Sequence, residues 1–155
     1  MIMLRLVLDT NVWLDWLVFD DPGIKPLQAA VAAGNAEIVI NGDCEAELLR
    51  VLAYPLQKWT LDPGRQAACI AACRTVACTV ETPCGITLPA CADPDDQKFL
   101  ELAAGAGAHY LLSKDRALLA LANRRPLLPF HIVTPEEFTT HQGVESPNRA
   151  TPRTV

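Results

Sequence analysis

Acidic side chains stand wherever a helix is expected to follow a strand in this 155-residue chain. Asp9 closes the apolar run LRLVL. Glu45 and Glu47 fall in the first turns after EIVI. Asp93, Asp95 and Asp96 open the segment that continues into FLELA, and Asp115 comes just after HYLL. Carboxylates crowded into one crevice repel one another, so one or more stays protonated unless a cation shares the space. Hard oxygen ligands suit Mg²⁺ or Mn²⁺. Such a cation lowers the pKa of a water and orients it, and a second can steady the leaving oxygen of an in-line displacement. Phosphodiester cleavage is chemistry of this kind, and it needs no nucleophilic side chain. No Ser-His-Asp or Cys-His arrangement is apparent. His109 and His131 lie at strand starts, on the opposite edge, and His141 lies near the end of the chain.

The competing explanation is local. Acids at helix N-termini accept from free N–H groups and complement the helix dipole. That suffices for Asp43 and Asp62, and it fits Asp93 before Pro94. It fits the set less well, because Asp9, Asp96 and Asp115 adjoin apolar residues that must be buried. Asp96 shares a helix face with Phe99, Leu100 and Ala103, at i+3, i+4 and i+7, and so points toward the sheet.

The elements that position these acids alternate. Strands are expected over residues 4–8, 37–40, 76–80, 109–112 and 131–133. Helices are expected over 12–18, 26–33, 43–53, 62–74, 93–104 and 114–121, with a short helical turn at 135–138. Residues 82–92 read as a loop. The alternation predicts an α/β fold, a three-layer α/β/α sandwich with a mainly parallel central sheet. Right-handed crossovers then put every strand-to-helix junction on one edge, where ligands bind in such sheets. The domain is expected over residues 1–139, and the polar stretch 140–155, with Pro147 and Pro152, reads as a disordered tail.

Half of the residues are hydrophobic and the formal net charge is −5, which disfavours a generally basic nucleic-acid binder. Acids that hold cations can still meet phosphates. No apolar stretch is long enough to cross a bilayer, and the N-terminus lacks the features of a secretion signal. A cytoplasmic location with no membrane partner is the expectation. The six cysteines, Cys44, Cys69, Cys73, Cys78, Cys84 and Cys91, include no CxxC pair and read as free thiols filling apolar space. Zinc binding by them is the minor alternative.

Four segments resemble the PIN-domain nucleases, and more narrowly the bacterial PIN-family toxins of toxin–antitoxin pairs: LVLDTNVWL (6–14), ELLRVLAYP (47–55), DPDDQKFLELA (93–103) and LLSKDRALLAL (111–121). Their order and separation are more specific than any one of them. The resemblance implies that Asp9, Glu47, Asp96 and Asp115 are catalytic, metal-binding acids. It makes Asn11 a polar residue that helps to hold Asp9, and Thr10 and Ser113 hydroxyl neighbours of the site. It further implies Mg²⁺ or Mn²⁺, single-stranded RNA as substrate, hydrolysis leaving a 5′-phosphate, frequent homodimers and a separate antitoxin protein.

The second acid has an alternative. On the helix 43–53 the apolar stripe is Cys44, Leu48, Val51 and Leu52, and Glu45 lies nearer to it than Glu47 does. The family pattern favours Glu47, with Glu45 in reserve. Asp93 and Asp95 are supporting candidates beside Asp96. Lys98, Lys114 and Arg116, with Arg50, lie near the acid edge and are candidates to meet phosphates. Trp13 and Trp16 read as packing residues and Asp15 as a surface acid. Two rivals remain. A phosphatase of the haloacid-dehalogenase kind needs DxD after the first strand, where this chain has Asn11. A catalytically silent PIN-like module that binds RNA or protein would not need all four acids, yet all four are present.

Overall fold

The computed structural model describes residues 3–55, 60–81, 96–122 and 128–144, the last four by their backbone alone. Strand β1 (Leu4–Leu8) leads into helix α1 (Thr10–Leu17). A 3₁₀ turn (Pro22–Ile24) precedes α2 (Lys25–Ala32). Next come β2 (Ala36–Ile40), α3 (Gly42–Leu52), α4 (Pro63–Val76), β3 (Ala77–Thr79), α5 (Gln97–Gly105), β4 (Tyr110–Leu112), α6 (Arg116–Leu119), β5 (His131–Val133) and α7 (Pro135–Val144). The five strands form one sheet in the order β3-β2-β1-β4-β5, and every pairing is parallel.

The strand sequences explain the layers. Leu6, Val7 and Leu8 are buried without alternation, as are Ile38, Val39 and Ile40, and Leu111 and Leu112. A strand buried on both faces needs cover on both, so the sheet is flanked by helices. The architecture is the expected three-layer α/β/α sandwich. Helices α1, α3 and α4 pack against one another, α3 also meets α5, and α2 packs with β2 and α7. Among the described residues no helix is long and apolar enough to cross a membrane.

Strand order fixes where a ligand can sit. The chain starts at β1 in the centre, moves outward through β2 to β3, then crosses back to β4 on the other side of β1. The carboxyl ends of β1 and β4 therefore bound the crevice at the topological switch point.

Several boundaries differ from the sequence expectation. Helix α1 starts at Thr10 rather than residue 12, because the Asp9 side chain caps it through the Val12 N–H. The helix expected over 114–121 is a single turn at Arg116–Leu119, capped by Asp115, so Ser113 and Lys114 lie in the loop before it. Helix α7 runs to Val144, past the expected turn and past residue 140, where a tail was expected to begin. Residues 145–155 lie outside the described residues, as do the loop 82–92, Asp93 and Asp95. The cap of α3 is Asn41, whose side chain accepts from Cys44 N–H, and not Asp43. Asp62 caps α4 as expected.

Candidate active site

Register brings the first pair of site residues together. Leu8 of β1 is paired with Leu112 of β4, so the residues that follow them, Asp9 and Ser113, emerge side by side. The Asp9 N–H donates to Leu112 O at 3.1 Å, and Ser113 Oγ donates to Asp9 Oδ2 at 2.5 Å. The other Asp9 oxygen accepts from Val12 N–H at 2.9 Å. Ser113 is fully buried, and its Oγ also accepts from Asp115 N–H at 2.9 Å. One hydroxyl thus fixes two acids from opposite ends of the chain.

Asp9 is 3% exposed. Burial pushes its carboxyl up to about 6, and the neighbouring Asp115 adds to the rise, against the hydrogen bonds from Ser113 and Val12 and the charge of Lys114. Desolvation disfavours the carboxylate, and a second negative charge nearby does the same. Asp115 moves the other way. The hydrogen bond from Asp96 is the main cause that holds its carboxyl below the ordinary range, helped by the Ala117 N–H. Two carboxyl groups that bond to each other must share a proton between them. Asp96 occupies the N-cap position of α5 yet makes no side-chain capping bond there. Phe99, Leu100 and Ala103, its partners on the helix face, are buried as expected.

Glu47 reaches the same place from α3. Its Oε2 accepts from Thr10 Oγ1 at 2.6 Å, and its Oε1 accepts from Lys98 Nζ at 2.5 Å. Glu45 points elsewhere: it pairs with Arg74 of α4 at 2.8 and 3.0 Å, and that bond lowers its pKa. At about 100° per residue, Glu45 and Glu47 flank the Cys44–Leu48–Leu52 stripe on opposite sides. The residues beyond each flank therefore decide which acid faces the crevice, and the stripe alone does not.

Asp9, Glu47, Asp96 and Asp115 line one cleft of about 120 Å³ together with Thr10, Asn11 and Val51. Asn11 is exposed at this cleft. The hydrogen bonds to Asp9 come from Ser113 and Val12 instead, because an N2 residue of α1 points away from the cap. Among the described residues no three His, Cys, Asp or Glu side chains stand close enough to form a ready metal-ligand group. The carboxylates are bonded to protein donors and, for Asp96 and Asp115, to each other. The donor set itself is all oxygen and acidic, which suits a hard divalent cation, and such a cation would favour the ionised carboxylates.

The candidate phosphate contacts separate. Lys98 bonds to Glu47, which lines the cleft. Lys114 forms an ion pair with Asp15, which raises its pKa. Arg116 and Arg50 are exposed. Asp15 corrects the expectation of a surface acid: it is 8% exposed, because α1 turns it toward the β4–α6 loop, where Lys114 neutralises it. Sequence reasoning missed this pair, and Val51 as a cleft residue. Trp13 is buried and its ring centroid lies 5.9 Å from that of Trp16, as packing residues should.

His109 and His131 lie at the opposite edge, where His109 Nδ1 accepts from Arg5 N–H. Cys44, Cys69, Cys73 and Cys78 are free, the first three buried. Burial pushes the Cys44 and Cys73 thiols up to about 12, which keeps them neutral and poor zinc ligands. Cys84 and Cys91 lie outside the described residues.

A family model described as PIN domain matches residues 5–117. No curated protein matches the chain.

Proposed function

Because this chain belongs to the PIN-domain family, a superfamily of metal-dependent nucleases, we propose that it is an endoribonuclease that hydrolyses single-stranded RNA with Mg²⁺ or Mn²⁺ at Asp9, Glu47, Asp96 and Asp115. The observation that carries the reading is the single cleft at the β1/β4 switch point that these four acids line. When bound, the cation supplies a water acidic enough to attack at neutral pH and screens the phosphate charge. The protein's own part is orientation. Ser113 and the Val12 N–H hold both oxygens of Asp9, Ser113 also holds the Asp115 backbone, and Thr10 holds Glu47. A water oxygen bonds to phosphorus as the P–O3′ bond breaks, and a proton released from the water ends on O3′, leaving a 3′-hydroxyl and a 5′-phosphate. Arg116 and Arg50, exposed beside the cleft elements, are the candidates to meet flanking phosphates, with Asn11 at the cleft.

In this reading the protein is the toxin of a toxin–antitoxin pair, with a cognate antitoxin protein and a homodimer as its partners, acting in the cytoplasm. The resemblance of its four motif segments to that bacterial group supports this. The nuclease domain spans residues 1–139 in this reading.

Single-stranded RNA is incubated with the wild-type protein and with Asp9→Asn, each with Mn²⁺, Mg²⁺ or chelator. Metal-dependent cleavage to 5′-phosphate products, absent in the variant, is the expected result. Equal cleavage by both proteins would assign the activity to a contaminant. Metal binding without cleavage would favour the silent RNA-binding alternative.

A further inference from the structure

Lys98 is the cation already present among the acids. It reaches from α5 to Glu47 on α3 and so ties together two of the elements that carry candidate ligands. Its side chain is 23% exposed and that of Glu47 13%, so the pair is shielded from solvent on most sides. The ammonium also lies 5.6 Å from the centre of the Phe99 ring. With Thr10 on Oε2, both oxygens of Glu47 are engaged by protein donors. Each oxygen keeps a further lone pair, so a cation arriving at Glu47 Oε1 would sit close to the Lys98 ammonium. Thr10 is a neutral hydroxyl, whereas Lys98 brings a full positive charge that a divalent ion would repel.

We propose that Lys98 is a built-in counter-cation of the cleft: it neutralises Glu47 while no metal is bound, and a divalent ion displaces it from Oε1. This rests on the metal-dependent reading above and adds a competition to it. A compact ammonium on a flexible stem suits the task, since it can leave one carboxylate and stay near the cleft. The contrasting possibility is a permanent strut, in which Lys98 holds Glu47 in place for the metal. The two differ in sign. A competitor weakens metal binding, whereas a strut strengthens it.

Mn²⁺ affinity is measured by calorimetry, and by electron paramagnetic resonance of the free ion, for wild-type, Lys98→Met and Lys98→Gln proteins. Thermal unfolding confirms that each is folded. Removal of the competitor should tighten Mn²⁺ binding roughly fivefold or more. Unchanged or weaker binding in folded variants overturns the proposal. A second readout uses the wild-type protein alone and survives a failure of the variants to fold. The chain has four lysines, so reductive ¹³C-methylation gives a short, assignable set of signals. Saturating Mg²⁺ should shift the Lys98 signal toward that of a solvated ammonium. Mg²⁺ binding with an unmoved Lys98 signal overturns this inference and leaves the metal site standing. No divalent-ion binding by any of the proteins removes both.

Discussion

The two edges of the sheet carry similar residue types and use them in opposite ways. At the amino edge, Arg5 of β1 faces Glu37 of β2 in register and bonds it at 2.8 Å. The same guanidinium donates to Ala106 O, and His109 Nδ1 accepts from the Arg5 N–H. Each charge there has its opposite, and the pair is about two-fifths exposed, at 41% and 35%. At the carboxyl edge four acids line one cleft, Lys98 bonds to Glu47, and Asp9 is almost completely buried. The first arrangement is self-sufficient. Among the described residues the second gathers acids more densely than cations, with the Asp9 carboxyl raised to about 6 and Asp96 bonded to Asp115. Helix N-termini at that edge ease the imbalance without removing it. A folded protein that maintains such a cluster does so at a cost in stability, and a cation would relieve it.

Substitution should expose the contrast most sharply in catalysis. Asp9→Asn should lower RNA cleavage by about a thousandfold or more, on the order of 4 kcal/mol of barrier. Glu37→Gln at the amino edge should leave the rate within about twofold, and initial-rate assays on one RNA compare them. Ser113→Ala comes next. It removes the hydroxyl that joins Asp9 to the Asp115 backbone, so metal affinity or activity should fall roughly 10–100-fold with the fold retained by circular dichroism. An unaltered rate would show that the β1–β4 register alone positions the acids.

Stability should move in the opposite direction at Asp9. Its folded pKa, about 6, lies above the ordinary 3.8. The protonated carboxyl therefore favours the fold at low pH, and that contribution is lost as pH rises through about 6. The neutral amide of Asp9→Asn should thus stabilise the metal-free protein by on the order of 1–2 kcal/mol at pH 8, or a few degrees in Tm. At pH 5 the gain should be roughly halved, and it should vanish only below the ordinary value of 3.8. Thermal scans with chelator at both pH values check the sign. The smallest effect belongs to the amino edge: Arg5→Met should cost less than about 1 kcal/mol, since the ion pair is substantially solvated. Denaturant unfolding measures it.

Much of this contrast was legible in the sequence. Strand-to-helix alternation predicted the layers, and parallel crossovers put Asp9, Glu47, Asp96 and Asp115 on one edge. What the sequence withheld was set by contacts between distant segments. The Ser113–Asp9 bond follows from pairing Leu8 with Leu112, and register is a property of two strands together. Glu45 lies nearer to the apolar stripe than Glu47, yet it turns to Arg74 on α4 and away from the cleft. Asp15 read as surface because its partner, Lys114, lies 99 residues on, in a loop where a helix was expected. Helix lengths failed where capping decides them, as at Thr10 and Arg116.

The central claim is that Asp9, Glu47, Asp96 and Asp115 together hold a hard divalent cation. Anomalous diffraction from crystals grown in Mn²⁺ tests it most directly. The account predicts a manganese peak in the cleft between the ends of β1 and β4, within bonding distance of carboxylate oxygens from at least two of these acids. A fully sampled map with no peak there, or with its only peak elsewhere on the chain, would contradict it.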